Sequence, residues 1–203
     1  MQKFKDKINL KEKIKRGERI ILELGCGKRK REGRVNIDIL DLPEVDIVTD
    51  LEQGLQFVPD NCIDEINSKS FFEHVANFGF LMKEMHRVLK PNGEINIFVP
   101  HFSNPYYYSD YTHKRFFGLY TFYYFSKNQN KIKRKVPNFY VNCDFEVISQ
   151  ELYFISVFPM IRTLKKYIGK IINMNTLFQE IYEGHLTNIF SCYGIDVKLR
   201  AIK

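Results

Sequence analysis

Short apolar runs separated by polar turns fill the first half of the chain. Residues 19–24 form one such run, ending at Gly25, Cys26 and Gly27, as a buried parallel strand does where it enters a tight turn. Residues 35–38 and 45–48 predict two further short strands rich in β-branched residues, with Asp38 and Asp50 at or just past their ends. Ile63 and Ile66 bracket a fourth, and residues 94–99 alternate as a fifth. Between them Leu81, Met82, Met85, Val88 and Leu89 recur at helical spacing until Pro91, Asn92 and Gly93 stop the helix. Strands joined by helical or loop crossovers predict an α/β fold: a Rossmann-like, doubly wound, mostly parallel sheet with helices on both faces.

The flanks read differently. Residues 3–15 predict a short basic amphipathic helix with Phe4, Ile8 and Ile14 as its apolar anchors. After Pro100 the segment 101–125 is crowded with aromatics, and 126–137 is polar and basic, which predicts a surface excursion with a mobile tip. Strand patterns resume at 145–148 and 197–199, around a helical segment at 160–182 that is basic on one side and apolar on the other. The expected organisation is one domain, 1–203, with a basic N-terminal helix at 1–18 and aromatic and helical lid segments at 101–140 and 152–190 on the acceptor side.

Composition narrows the class without naming it. With 44% hydrophobic and 27% charged residues, a chain of 203 residues has the make-up of a folded globular protein, which excludes disorder throughout. The longest apolar stretch, 152–161, is half of what a bilayer span needs, and no signal-peptide core is present, so a cytoplasmic setting is expected. Cys26, Cys62, Cys143 and Cys192 form no CxxC pair; neither a zinc site nor a disulfide framework is expected, and no metal. Net charge is +7, with 13 Lys or Arg against 5 Asp or Glu in residues 1–34. That surplus suits RNA, an anionic membrane surface or an acidic substrate, or else a solvated helix face.

The chemistry begins at the glycine turn. Gly25 and Gly27 let a ligand approach the backbone after the first strand, but a nicotinamide fingerprint would need a third glycine where Lys30 stands, and a crossover helix does not fit before Val35. Asp38 can accept hydrogen bonds from both hydroxyls of a ribose, while Asp50 and Leu51 can meet an adenine amino group and ring face. All would gather at the carboxyl ends of neighbouring strands, where open parallel sheets bind ligands.

Taken in order, these strings resemble the class I S-adenosylmethionine (SAM)-dependent methyltransferases, in particular their type-11-like domains. The resemblance runs from residue 20 to 100. Ile21-Leu-Glu-Leu-Gly-Cys-Gly27 is similar to their first motif and Val35-Asn-Ile-Asp38 to their ribose-binding strand. Val58-Pro-Asp-Asn-Cys-Ile-Asp64 is similar to the lead into their fourth strand, and Phe72-Glu-His-Val75 with Val88-Leu-Lys-Pro-Asn-Gly93 to their Leu-Glu-His-Val and Leu-Lys-Pro-Gly-Gly signatures. The resemblance implies a seven-stranded sheet, SAM as cofactor and methyl transfer as reaction. It implies that Glu23, Gly25, Cys26 and Gly27 hold the methionine end, Asp38 and Ile39 the ribose, Asp50 and Leu51 the adenine, with Ser70 near the sulfonium. Two departures affect the loop: Arg29 replaces the third glycine, and the first crossover is abbreviated, ending at Gly33.

The acceptor side is read from His101, Asp110 and His113. His101 is expected where the fifth strand meets the cleft; either His101 or His113 deprotonates an acceptor with Asp110 orienting a histidine, or the three simply hold a long loop together. Asn104-Pro-Tyr-Tyr107 is similar to the Asn-Pro-Pro-Tyr motif of base-modifying amino methyltransferases, but lacks the second proline and follows the wrong strand. O-methylation of a small metabolite or saccharide unit is the leading expectation. RNA methylation, suggested by the basic residues 28–31, and a non-catalytic scaffold are the alternatives. The segment 160–172 is either a lid helix or a peripheral membrane contact.

Overall fold

A computed structural model of the chain describes residues 4–203. Strands β1 (Lys5–Asp6), β2 (Ile21–Leu24), β3 (Val35–Asp38), β4 (Ile47–Val48), β5 (Ile63–Lys69), β6 (Leu89–Pro100), β7 (Phe145–Tyr153) and β8 (Gly194–Ala201) form one sheet in the order β1-β4-β3-β2-β5-β6-β8-β7. The centre, β4 to β6, is parallel, with Leu22 opposite Val35 on one side and Ile66 on the other. β8 runs antiparallel to both β6 and β7. The mostly parallel α/β architecture is thus as expected. The sheet has eight strands among the described residues rather than seven, because two residues of β1 add an antiparallel edge to β4.

That edge also corrects the N-terminal helix. Residue 3, where it was expected to start, lies outside the described residues; Lys5 and Asp6 form β1, and the chain becomes helical only in α1 (Leu10–Lys15). Asp6 explains the delay: its carboxylate accepts from the backbone N–H of Ile8 and Leu10, and Asn9 turns through φ 54°, so a tight turn replaces the first helical turns. Leu10 is the buried anchor, while Phe4 rests half-exposed on Phe57.

Crossover helices are scarce. The link from β2 to β3 is a loop, held without a helix by the wholly buried Asn36, whose amide bonds Arg31 N, Arg31 O, Arg34 O and the Asp46 carboxylate. Helix α2 (Phe78–Val88) connects β5 to β6; Leu81, Met82, Met85 and Val88 bury one face, and the Asn77 side chain caps its start. Arg87 ties this helix to the preceding loop through Glu84, Asp60 and the carbonyls of Leu55 and Val58.

The aromatic segment divides in two. Phe117, Phe122 and Phe125 are core, their rings 5.3, 6.1 and 5.4 Å from Phe78, whereas Tyr106, Tyr108, Tyr111 and Phe116 remain exposed. The basic stretch 126–137 is folded over buried Gln129, whose amide donates to three backbone carbonyls and accepts from Val136 N. The helical segment expected at 160–182 is broken into α3 (Pro159–Ile172) and α4 (Thr176–Ile181). Asn173 causes the break by pairing in both directions with Leu152 of β7, and Asn175 caps α4. No helix among the described residues is long and apolar enough to cross a membrane.

Candidate active site

The carboxyl ends of β2 to β5 open onto a cleft. Gly25 and Gly27 both take positive φ, 67° and 54°, which favours glycine. A Cβ on Gly25 would sit 2.5 Å from the Phe71 ring, but one on Gly27 would meet nothing within 4 Å, so the backbone there is bare towards the cleft. Gly27 N donates to Asp38 at 2.8 Å and Leu40 N to the other Asp38 oxygen at 3.1 Å, which fastens the turn to the end of β3. Buried Glu23 pairs with Arg34 and so pins the far side of the same loop. Asp50 accepts from Glu52 N and opens the turn that carries Leu51.

Three adjoining cavities occupy this end of the sheet, each within the range of about 300–1,000 Å³ typical of small-molecule sites. One of about 300 Å³ is lined by Gly25, Asp38, Ile39, Asp50 and Leu51. A second, about 900 Å³, is lined by Gly25, Cys26, Gly27 and Ser70, with Tyr153 and Arg162 from the later segments. The third, about 470 Å³, shares Ser70 with the second and His74 with the first. Ser70 reaches this junction because its backbone, at φ 54°, turns sharply after β5. Asp38 and Asp50, which the sequence reading required on one side of the molecule, line one cavity. Burial and the Asp38 charge push the Cys26 thiol up to about 12.

The third cavity holds most of the titratable groups. The turn 72–74 and the loop 107–115 meet there: Lys114 N and Arg115 N both donate to Glu73 O, and the Tyr107 hydroxyl donates to Arg115 O. Thr112 donates to Asp110 at 2.5 Å, so its oxygen accepts from His74 Nδ1–H at 2.9 Å, leaving a lone pair on His74 Nε2. His113 Nδ1–H donates to Tyr107 O at 2.9 Å, and its Nε2 lies 3.5 Å from Asp110. The two rings stand 4.9 Å apart. Glu73 is only 2% exposed; burial, then the Asp110 charge, push its carboxyl up to about 7, and its Oε2 has no hydrogen-bond partner among the described residues. Burial likewise holds the His74 imidazolium below its usual range.

His101 is not in this group, contrary to expectation. It is 0% exposed and lines none of the three cavities. Ser103 N donates to its Nδ1, which leaves Nε2–H to donate to Glu183 at 2.9 Å. β6 ends at Pro100, and the next residue turns inward to brace the segment 182–186 instead of continuing to the cleft. Asn104 is also buried, capping a turn by accepting from Tyr106 N and donating to Tyr193 O. Glu73 and His74, which the Phe72-Glu-His-Val75 string offers either as catalytic groups or as braces of the following helix, line this cavity; Thr112, the link from His74 to Asp110, stood unremarked beside His113.

A methyltransferase domain model matches residues 27–97. No curated protein matches the chain in sequence. Among solved structures, a SAM-dependent methyltransferase from Archaeoglobus fulgidus superposes with a TM-score of 0.52 at 17% identity, covering 94% of this chain and 92% of its own. The complex between the Trm112 methyltransferase activator of Haloferax volcanii and its methyltransferase gives 0.51 at 14% identity, with 96% and 89% covered. At these identities the structures speak for fold, and the domain match speaks for activity. Residues 27–97 thus match a methyltransferase domain, and the chain shares its fold with solved SAM-dependent methyltransferases, which is consistent with a class I methyltransferase that takes S-adenosylmethionine as its cofactor.

Proposed function

We propose that the enzyme methylates a hydroxyl of a small molecule or saccharide unit seated in the 470 Å³ cavity. The observation that carries this reading is the shared wall: Gly25 joins the first two cavities, Ser70 the second and third. A cofactor laid along the strand ends would therefore present its reactive end beside His74 and His113.

The residues suit the cofactor. A carboxylate offers about four acceptor sites, and backbone N–H groups take two of those on Asp38, which leaves capacity for ribose hydroxyls. Exposed Ile39 and buried Leu51 give apolar faces for the adenine, with Asp50 at its edge. The bare backbone of Gly25, Cys26 and Gly27, fixed through Glu23 and Arg34, would hold the methionine end. When bound, SAM supplies an electrophilic methyl group whose bond to sulfur breaks with the electron pair left on sulfur. The protein's task is alignment, exclusion of water and removal of the hydroxyl proton. Asp110 orients His74 through Thr112, and the Nε2 lone pairs of His74 and His113, on the cavity wall, activate that hydroxyl.

Calorimetry with S-adenosylhomocysteine (SAH) tests the cofactor half: Asp38→Ala should weaken binding by about tenfold or more, from the loss of charged acceptors. Methyl transfer from labelled SAM to a panel of hydroxyl-bearing acceptors tests the rest. His74→Ala should lose turnover while keeping SAH affinity; unchanged turnover would remove the cluster from the mechanism. The RNA alternative has Lys28 and Arg29 on the wall of the 900 Å³ cavity, and RNA binding that weakens steeply with salt would favour it.

A second observation favours an acceptor at a membrane surface. On α3, Met160, Ile161, Leu164, Tyr167 and Ile171 are exposed along one face, beside Arg162, Lys166 and Lys170 on the next. An apolar stripe flanked by cations suits an anionic bilayer interface. Flotation with vesicles containing phosphatidylglycerol should carry the protein, and Leu164→Glu with Ile171→Glu should abolish it; a stable dimer that fails to float would assign the face to a second copy instead.

A further inference from the structure

Glu73, His74 and His113 converge in the wall of the 470 Å³ cavity, and one ligand atom from each lies within 4.8 Å of the others. From this arrangement we infer that the three residues hold a divalent first-row transition cation.

Each donor is presented with its lone pair available. The Thr112 oxygen takes the proton of His74 Nδ1 and the Tyr107 carbonyl takes that of His113 Nδ1, so both Nε2 atoms are left as acceptors. This is the outer arrangement that metal-binding histidines use, in which a carboxylate, carbonyl or hydroxyl fixes the tautomer and aims the ring. For His74 that chain runs back to the Asp110 carboxylate at 2.5 Å from Thr112. The third donor is the carboxylate of buried Glu73, whose Oε2 has no hydrogen-bond partner among the described residues. An orphaned buried oxygen of this kind is costly unless a ligand completes it.

Among the described residues no cationic side chain forms an ion pair with Glu73. The two cationic residues next in the loop are committed elsewhere: Lys114 reaches Glu52 at 3.4 Å, and the Arg115 guanidinium donates to the carbonyls of Val75 and Ala76. His113 Nε2 and Asp110 Oδ2, 3.5 Å apart, also face each other with no proton between them in that tautomer. Around one ion with bonds of about 2.1 Å, ligand atoms sit about 3–4 Å apart, so atoms already within 4.8 Å of one another need draw together by only about 1 Å.

Two imidazoles and one carboxylate select Zn²⁺, Fe²⁺, Co²⁺, Mn²⁺ or Ni²⁺ over the all-oxygen cages of Ca²⁺ and Mg²⁺. Three protein ligands leave at least one position open, towards the space bounded by Ser70 and Tyr106. That position fits an oxygen of the acceptor, whose loss of a proton the bound cation would then promote in place of the free imidazoles, and this last assignment alone rests on the methyl-transfer reading above.

The test uses the full, untagged chain, stripped with EDTA and desalted. Titration with Zn²⁺ by calorimetry, and with Co²⁺ by visible absorption, should show one saturable equivalent at micromolar or tighter Kd. Glu73→Gln and His113→Ala should each weaken it at least tenfold with thermal stability retained, and Thr112→Val by about tenfold through loss of the His74 tautomer. His185→Ala, exposed and outside the cluster, should change nothing. Absence of saturable binding, or binding that survives in the Glu73→Gln, His113→Ala double variant, overturns the site. SAH affinity, measured on the same samples, separates the two readings: cation binding without SAH binding sinks the cofactor assignment and keeps this site, and the reverse sinks only the site.

Discussion

Replacing His101 by alanine is expected to unfold the protein more easily without touching cofactor binding. The imidazole donates to Glu183 Oε2 at 2.9 Å, while Glu183 Oε1 accepts from Leu119 N at 2.7 Å. That carboxylate is 9% exposed and lies against Gly118, where even an added Cβ would come within 2.5 Å of it, so it has no room to turn towards water. Removing the imidazole takes one hydrogen-bond donor from a buried carboxylate, at a cost of about 1.5–3 kcal/mol. For a chain of this size each kcal/mol lowers Tm by roughly 2–4 °C, which gives a drop of about 3–12 °C. Differential scanning calorimetry measures it, with SAH titration below the new Tm as the control. A variant that keeps its Tm within a degree or two, or that stays stable and loses turnover, would return His101 to the reaction and refute its assignment as a brace.

Three further outcomes follow from the same packing. With a thiol reagent at pH 8, Cys62 should react ahead of the others, because burial pushes Cys26, Cys143 and Cys192 up to about 12, 11 and 12; equal rates for Cys26 and Cys62 would contradict the packing around the glycine turn. Arg87→Ala should cost about 2–4 kcal/mol in urea unfolding, since Glu84 and the carbonyls of Leu55 and Val58 lose their donor together, and Arg87→Lys should recover little of it. Gly194→Ala would place a Cβ 2.5 Å from the Phe98 ring and 2.9 Å from Val99 O; because Phe98 walls two of the cavities, both Tm and SAH affinity should fall.

What the sequence disclosed, and what it withheld, follows from how local each feature is. Asp38 and Asp50 are placed by the strand each one ends, so short apolar runs were enough to bring them to the carboxyl edge beside Gly25. The Glu73–His74–His113 cluster depends on main-chain bonds between segments about 38 residues apart, and no periodicity announces a loop stapled to Glu73 O. His101 misled for a related reason: a histidine just past a strand can turn either way, and the buried Glu183 that captures it comes from a helical turn 82 residues later. The N-terminal helix was overestimated because hydrophobic spacing carries no sign of the Asp6 turn, and the single helix at 160–182 because Asn173 breaks it by pairing with β7.

Glu52 connects the two halves of the cleft, and it yields the last prediction. It follows Asp50 and Leu51 and lines their cavity, yet its carboxylate accepts from Ala76 N at 2.6 Å and Asn77 N at 3.1 Å, just past His74, and pairs with Lys114, just past His113. Burial alone would raise its pKa, but the two backbone N–H groups and Lys114 outweigh burial and hold it below the usual range. A carboxyl lowered on folding contributes stability above its unfolded pKa and loses it as pH falls through the lowered value, so this tie is complete at neutral pH and fails only in acid. Glu52→Ala should therefore cost about 1–3 kcal/mol at pH 7, with the difference from wild type shrinking below about pH 4. If the tie also aligns the nucleoside end with the His74–His113 end, SAH binding and Zn²⁺ binding should both weaken in this one variant, although Glu52 is a ligand for neither. Loss of one without the other would mean that each half of the cleft is held independently and that Glu52 serves only its own turn.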